Sequence, residues 1–128
     1  MERLSALDAE RILAAALAQP AGAELVFGAL REIPGVEFEP GREGGRFRSA
    51  TRPVLRVGDW TFSPIKQGTA LEAGHTVRGV VLSRSTVAAP DAAAKLAPAI
   101  LEAARQQGDE AQEYAQSVFG ALGELLGL

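Results

Sequence analysis

The sequence predicts an α+β fold, an antiparallel sheet of about four to five strands flanked by N-terminal and C-terminal helices, on three observations. Val54–Val57 and Trp60–Ser63 alternate around Gly58-Asp59, and Gly at the first position of a two-residue loop suits a type II′ hairpin turn. Both ends of the chain are rich in Ala and Leu at the three-to-four spacing of buried helical stripes. Pro20, Pro34-Gly35, Ser63-Pro64 and Pro90 punctuate the chain where those periodicities stop.

Taken in order, Ser5 with Asp8 three residues on forms a helix-entry box, and a helix over 6–18 aligns Ala9, Leu13 and Leu17 before Pro20 stops it. A shorter helix over 23–31 carries Leu25, Val26, Ala29 and Leu30. Val36–Glu39 alternates as a strand. Arg46–Arg48 is its expected partner, with Glu39 opposite Arg46, Glu37 opposite Arg48 and Phe38 against Phe47. In the next hairpin Val57 faces Trp60 and Leu55 faces Phe62 on the core side, which sends Val54, Arg56, Thr61 and Ser63 to the other face.

Pro64 should end that strand, because it has no N–H for a ladder bond. Residues 65–74 then read as a loop, and His75–Val87 as one long central strand with Val80-Val81-Leu82 buried and a bulge at Gly79. Pro90-Asp91 opens a helix that is kinked at Pro98 and ends at Gln107, with Gly108 as C-cap. Asp109 is the expected N-cap of a last helix, whose broad stripe includes Tyr114, Val118, Phe119, Leu122, Leu125 and Leu126.

A length of 128 residues suits a single domain, 1–128, with a core that needs no metal or disulfide. Hydrophobic content of 47% and charged content of 23% match ordinary globular usage. The absence of Cys excludes disulfides, thiol nucleophiles and Cys-based zinc sites. Neither a signal peptide nor a membrane span is read, so the expected location is cytoplasmic.

The net charge of −3 is unevenly spread. Residues 1–40 carry three Arg/Lys against seven Asp/Glu, residues 41–86 eight against three, and residues 87–128 two against six. A basic sheet between acidic helices has two readings: charge complementarity within the fold, or a basic surface for an anionic partner.

No motif specifies a reaction. His75 is the single histidine, and although Ser63, Ser83 and Ser85 lie in the same segment, no spacing selects one as a nucleophile; His75 is expected to begin a strand at the surface. Asp109, Glu110 and Glu113 read as a solvated helix start rather than a metal site. Gly41–Gly45 matches neither the dinucleotide fingerprint nor the P-loop and reads as a hairpin loop. No cofactor and no metal are expected.

The runs 54–62 (Val-Leu-Arg-Val-Gly-Asp-Trp-Thr-Phe) and 74–82 (Gly-His-Thr-Val-Arg-Gly-Val-Val-Leu) resemble those of small actinobacterial proteins of unknown function. That resemblance implies no catalytic residues. The helix, sheet, helix order is also similar to the secretion-chaperone type of fold, a likeness of fold alone. The expected function is therefore a non-catalytic protein-interaction module whose partner is a second copy, through the C-terminal stripe, or another protein; the alternative for that stripe is packing on its own sheet. Its expected contact surface is the basic sheet face and the 65–74 loop, with Arg52, Arg56, Lys66, Arg78 and Arg84 as candidate binding residues. The alternative is nucleic-acid or anionic-ligand binding through the same face, against which the pI of 5.2 weighs.

Overall fold

The computed structural model describes residues 4–128, so residues 1–3 of the expected domain lie outside the described part. Helices α1 (Ala6–Leu17) and α2 (Gly22–Leu30) precede five strands, β1 (Val36–Glu39), β2 (Val54–Val57), β3 (Trp60–Ile65), β4 (Ala70–Val77) and β5 (Val80–Ala88). Helices α3 (Ala93–Gln107) and α4 (Asp109–Leu125) follow. The five strands form one antiparallel sheet in chain order, β1-β2-β3-β4-β5, so each pairs with its neighbour in sequence. The expected α+β class, with helices at both ends of the sequence, is the observed one.

The start of α1 follows directly from its chemistry. Ser5 Oγ accepts from the Asp8 N–H at 3.1 Å, and the Asp8 carboxylate accepts from the Ser5 N–H at 3.2 Å, so two otherwise orphaned donors are satisfied reciprocally. At α4, Gly108 takes the capping position that the sequence suggested for Asp109. Its φ of 115° suits glycine, and Asp109 and Glu110 instead place negative charge in the first turn. α3 continues through Pro98, and a short 3₁₀ turn, Ala89–Ala92, holds Pro90 ahead of it.

The β2–β3 hairpin has the expected register, Val57 opposite Trp60 and Leu55 opposite Phe62, with Gly58 at a φ of +58°. Other expectations are corrected. β1 pairs with β2, not with Arg46–Arg48: Val36 faces Val57, Glu37 faces Arg56 and Phe38 faces Leu55. This pairing extends the apolar face of the sheet by two rows, whereas Arg46–Arg48 could have offered one apolar residue. Arg46 and Phe47 instead form the tip of a narrow arm closed by the Gly45–Arg48 and Arg42–Thr51 bridges, and Phe47 is 91% exposed.

The expected 65–74 loop is mostly strand. A three-residue 3₁₀ turn, Lys66–Gly68, leads into β4 at Ala70, and β3 runs on through Pro64 to Ile65. Pro64 is accommodated because pairing to β2 ends at Phe62, which leaves β3 locally an edge. The expected single strand 75–87 is in fact the second half of a hairpin. Arg78 and Gly79 turn it with φ of 51° and 80°, positive at both central positions as a type I′ turn requires. Val80, Val81 and Leu82 consequently begin an edge strand and are 59%, 52% and 60% exposed. The bulge lies opposite His75/Thr76 rather than at Gly79, and Leu82 is the extra residue.

The core sits between one sheet face and the helices. Leu55, Val57, Phe62, Leu71 and Ala73 are fully buried from the sheet, and Leu13, Val26, Phe27, Leu30, Leu96, Ile100 and Phe119 from the helices. α1 packs against α2, α3 and α4, with Ala9, Ala16, Ala93, Ala97, Ala111 and Ala115 buried where helices approach closely. α4 thus spends Ala115, Phe119 and Leu122 inside the fold, packed on helices. The stripe from which self-association was expected is largely covered by its own chain, although Tyr114 and Leu125 remain exposed.

Two glycines give opposite outcomes. A Cβ at Gly22 would run into the carbonyls of Ala16 and Leu17, whereas one at Gly28, on the exposed side of α2, meets nothing within 4 Å. In urea unfolding, Gly22→Ala is expected to cost about 1–3 kcal/mol. Gly28→Ala should add about 1 kcal/mol.

Candidate functional site

Alternation along the strands decides what the uncovered sheet face can hold. With Leu55, Val57 and Phe62 in the core, Arg56, Thr61 and Ser63 must point to the other side. The register aligns them in rows across the sheet: Glu37, Arg56, Thr61, Gly74 and Arg84 in one, and Ser63, Glu72 and Thr86 in the next. The 40–53 segment walls this face. Ser63 Oγ donates to the Pro53 carbonyl at 2.7 Å, the Arg42 and Thr51 backbones exchange two 3.0 Å hydrogen bonds, and Arg42 Nε donates to the Ser49 carbonyl at 3.3 Å.

Between wall and sheet lies an open cavity of about 610 Å³, lined among others by Arg42, Arg52, Arg56, Thr61, Ser63 and Glu72. Glu72 is the electrostatic centre of this face. Its carboxylate is 3.7 Å from the Arg52 guanidinium and 3.9 Å from that of Arg84. Arg56 has no ion pair among the described residues, even though Glu37 is its cross-strand neighbour.

Of the residues expected from sequence, Arg52, Arg56 and Arg84 therefore share one face. Lys66 and Arg78 do not join them: both are turn residues with positive φ, at opposite ends of β4. Sequence reasoning missed Arg42, Thr51 and Glu72 as members of this surface. Glu72 falls in the 65–74 stretch that reads as a loop, and nothing in local periodicity shows that the 40–53 segment folds back over the sheet.

A second cleft, about 560 Å³, opens on the helix side of the sheet between the Gly58-Asp59 turn and α3. Half-buried Trp60 lies there, stacked on His75 at 4.5 Å and 15°, with Lys95 Nζ 5.4 Å from its ring centroid. His75 is thus inside β4, directly opposite Trp60, rather than beginning a strand at the surface. At the rim, Glu102 accepts two hydrogen bonds from Arg105, at 2.9 and 2.6 Å, and one from Gln106. These hold its carboxyl down to about 2, but the side chain is exposed, so the shift describes a surface ion pair.

Among the described residues, no group of three or more His, Cys, Asp or Glu side chains is placed to hold a metal ion, and no helix is long and apolar enough to cross a membrane.

Residues 1–124 match the domain of unknown function DUF5073. The chain belongs to this family. Searches of curated proteins and of solved structures returned no match. The DUF5073 match covers α1 to α3, the whole sheet and α4 as far as Glu124, so the surfaces described above lie within the family's own domain.

For the DUF5073 chain, the turn at Arg78 separates a structural role from a binding one. A β-carbon in the left-handed region is strained, and Asn tolerates that region better. Arg78→Asn is therefore expected to raise thermal stability, by about 1 kcal/mol in a calorimetric comparison; a fall would show that the Arg78 side chain makes stabilising contacts.

Proposed function

We propose that this DUF5073 domain is a non-catalytic interaction module that pairs with a second copy of itself along the free edge of β5, within a reducing, cytoplasmic setting that its lack of Cys suits. The observation that carries this reading is the contrast between the two edges of the sheet. β1 is four residues long and carries Glu37 and Glu39, the short and charged form that discourages further pairing. β5 is nine residues long, exposed at every position except half-buried Val87, and has Arg84 as its one charged side chain. Even that charge is shared with Glu72 on the neighbouring strand. The Leu82 bulge distorts only the end nearest the hairpin, leaving Ser83–Ala88 regular.

A second copy is the occupant that the side chains favour. Antiparallel pairing about a two-fold axis at Ser85 sets Arg84 opposite the partner's Thr86 and Ser83 opposite the partner's Val87, each pair on one face. No like charges stand directly opposite, and the two Arg84 side chains, which lie on a diagonal, each have Glu72 as counter-charge.

Sedimentation velocity on the wild type and on Thr86→Arg tests this. The wild type should reach twice the 13.4 kDa chain mass at tens of micromolar. The exposed Thr86→Arg substitution brings guanidinium groups face to face and should return the monomer with its circular dichroism unchanged. A wild type that stays monomeric throughout, or a variant that remains dimeric, would overturn the pairing.

A further inference from the structure

We infer that the walled cavity on the polar sheet face is a binding site for a small ligand bearing one oxyanion group, a carboxylate or a phosphate, with the Arg56 guanidinium as its anchor. The inference is independent of the β5 edge, since it rests on the other side chains of the same face.

The other arginines of this face are already committed. Arg52 and Arg84 share Glu72, and Arg42 spends Nε on the Ser49 carbonyl that shapes the wall. Arg56 is the cation of the cavity lining with no such partner among the described residues. It also sits on a strand paired on both sides, β2 with β1 and with β3, whereas Arg84 lies on the edge strand β5 and Arg42 and Arg52 on the 40–53 segment. A guanidinium offers parallel N–H donors that match the two oxygens of a carboxylate or phosphate, which a point charge does not.

Its surroundings complete the chemistry. Thr61 is the cross-strand neighbour of Arg56, and Thr51 stands in the wall. The Thr51 oxygen accepts from the Arg42 N–H, which leaves its proton to donate. Beyond Thr61 the row continues with Gly74, where a Cβ would come within 2.8 Å of Thr61 Oγ1. Glycine there keeps the face open beside that hydroxyl. The volume, about 610 Å³, is that of a small-molecule site.

The same face argues against a polymer of phosphates. Glu37, Glu39 and Glu72 are distributed among Arg42, Arg52, Arg56 and Arg84, which leaves a surplus of one positive charge. A nucleic-acid strand needs several phosphates neutralised at once, and three carboxylates along its path would repel it. One anionic group at Arg56 is what this balance accommodates.

Amide-resolved NMR titration of the full chain tests the inference, with inorganic phosphate, acetate and succinate as separate probes and a fifteen-nucleotide single-stranded DNA as a fourth. At least one small anion should give saturable shifts confined to the amides of Thr51, Arg56, Thr61, Ser63 and Gly74. Arg56→Gln should weaken it by about tenfold or more, Arg56→Lys by less, because charge remains without the fork. Arg78→Asn, which removes a cation outside the cavity, should leave binding unchanged. Phosphate binding more tightly than both carboxylates assigns a phosphate ligand, and the reverse assigns a carboxylate. Shifts that never saturate, equal binding by Arg56→Gln, equal weakening by Arg78→Asn, or DNA binding tighter than every small anion would each overturn the inference.

Discussion

The structure depends on burying a single face of one sheet. Leu55, Val57, Phe62, Leu71 and Ala73 are driven under the helices, each such side chain larger than Ala contributing roughly 1.5–3 kcal/mol when fully removed from water. Strand alternation then leaves no freedom for the residues between them. Arg56, Thr61, Ser63 and Glu72 face outward because their neighbours face inward, so the polar surface is the geometric complement of the core. A one-residue slip of β3 would exchange Phe62 with Thr61 and lose both surfaces at once.

This also explains what the sequence disclosed and what it withheld. The β2–β3 hairpin was legible because Gly58 supplies the turn and the alternation is clean on both sides of it. The α1 entry was legible because a capping box is local. The β4–β5 hairpin was not, because its turn is Arg78-Gly79, with a non-glycine in the left-handed region, and because Val80-Val81-Leu82 looks like buried strand while being exposed. The β1 partner was misjudged for a related reason. Local charge matching favoured Arg46 and Arg48, but non-local apolar pairing of Val36 and Phe38 with Val57 and Leu55 prevails. Half of the candidate site was readable as alternation around Arg56, and the other half, Glu72 and the 40–53 wall, depends on contacts that no local pattern records.

The uneven charge along the chain also takes on a specific form. The ion pairs among the described residues run on the polar sheet face, Arg52 and Arg84 to Glu72, or between residues close in sequence, Arg31 to Glu32 and Arg105 to Glu102. None among the described residues joins the basic sheet to the acidic helices. The helices cover the apolar face with alanine, leucine and phenylalanine, while Arg52, Arg56 and Arg84 lie on the opposite face. The direct pairs on the polar face are instead local, with Arg52 and Arg84 balanced by Glu72 on that same face.

Glu72 is where that balance is struck, and it accounts for two features that otherwise look unrelated. By pairing with Arg84 it offsets the one charge on β5, which leaves the long edge with little to repel another strand. By pairing with Arg52 as well, it is occupied at the far side of the cavity and leaves Arg56 without a carboxylate partner. Each of these exposed pairs is worth only about 0–1 kcal/mol, too little to matter much for folding. Their importance lies in allocation: one carboxylate divided between two guanidinium groups determines which cation on this face remains available and which strand edge remains nearly neutral.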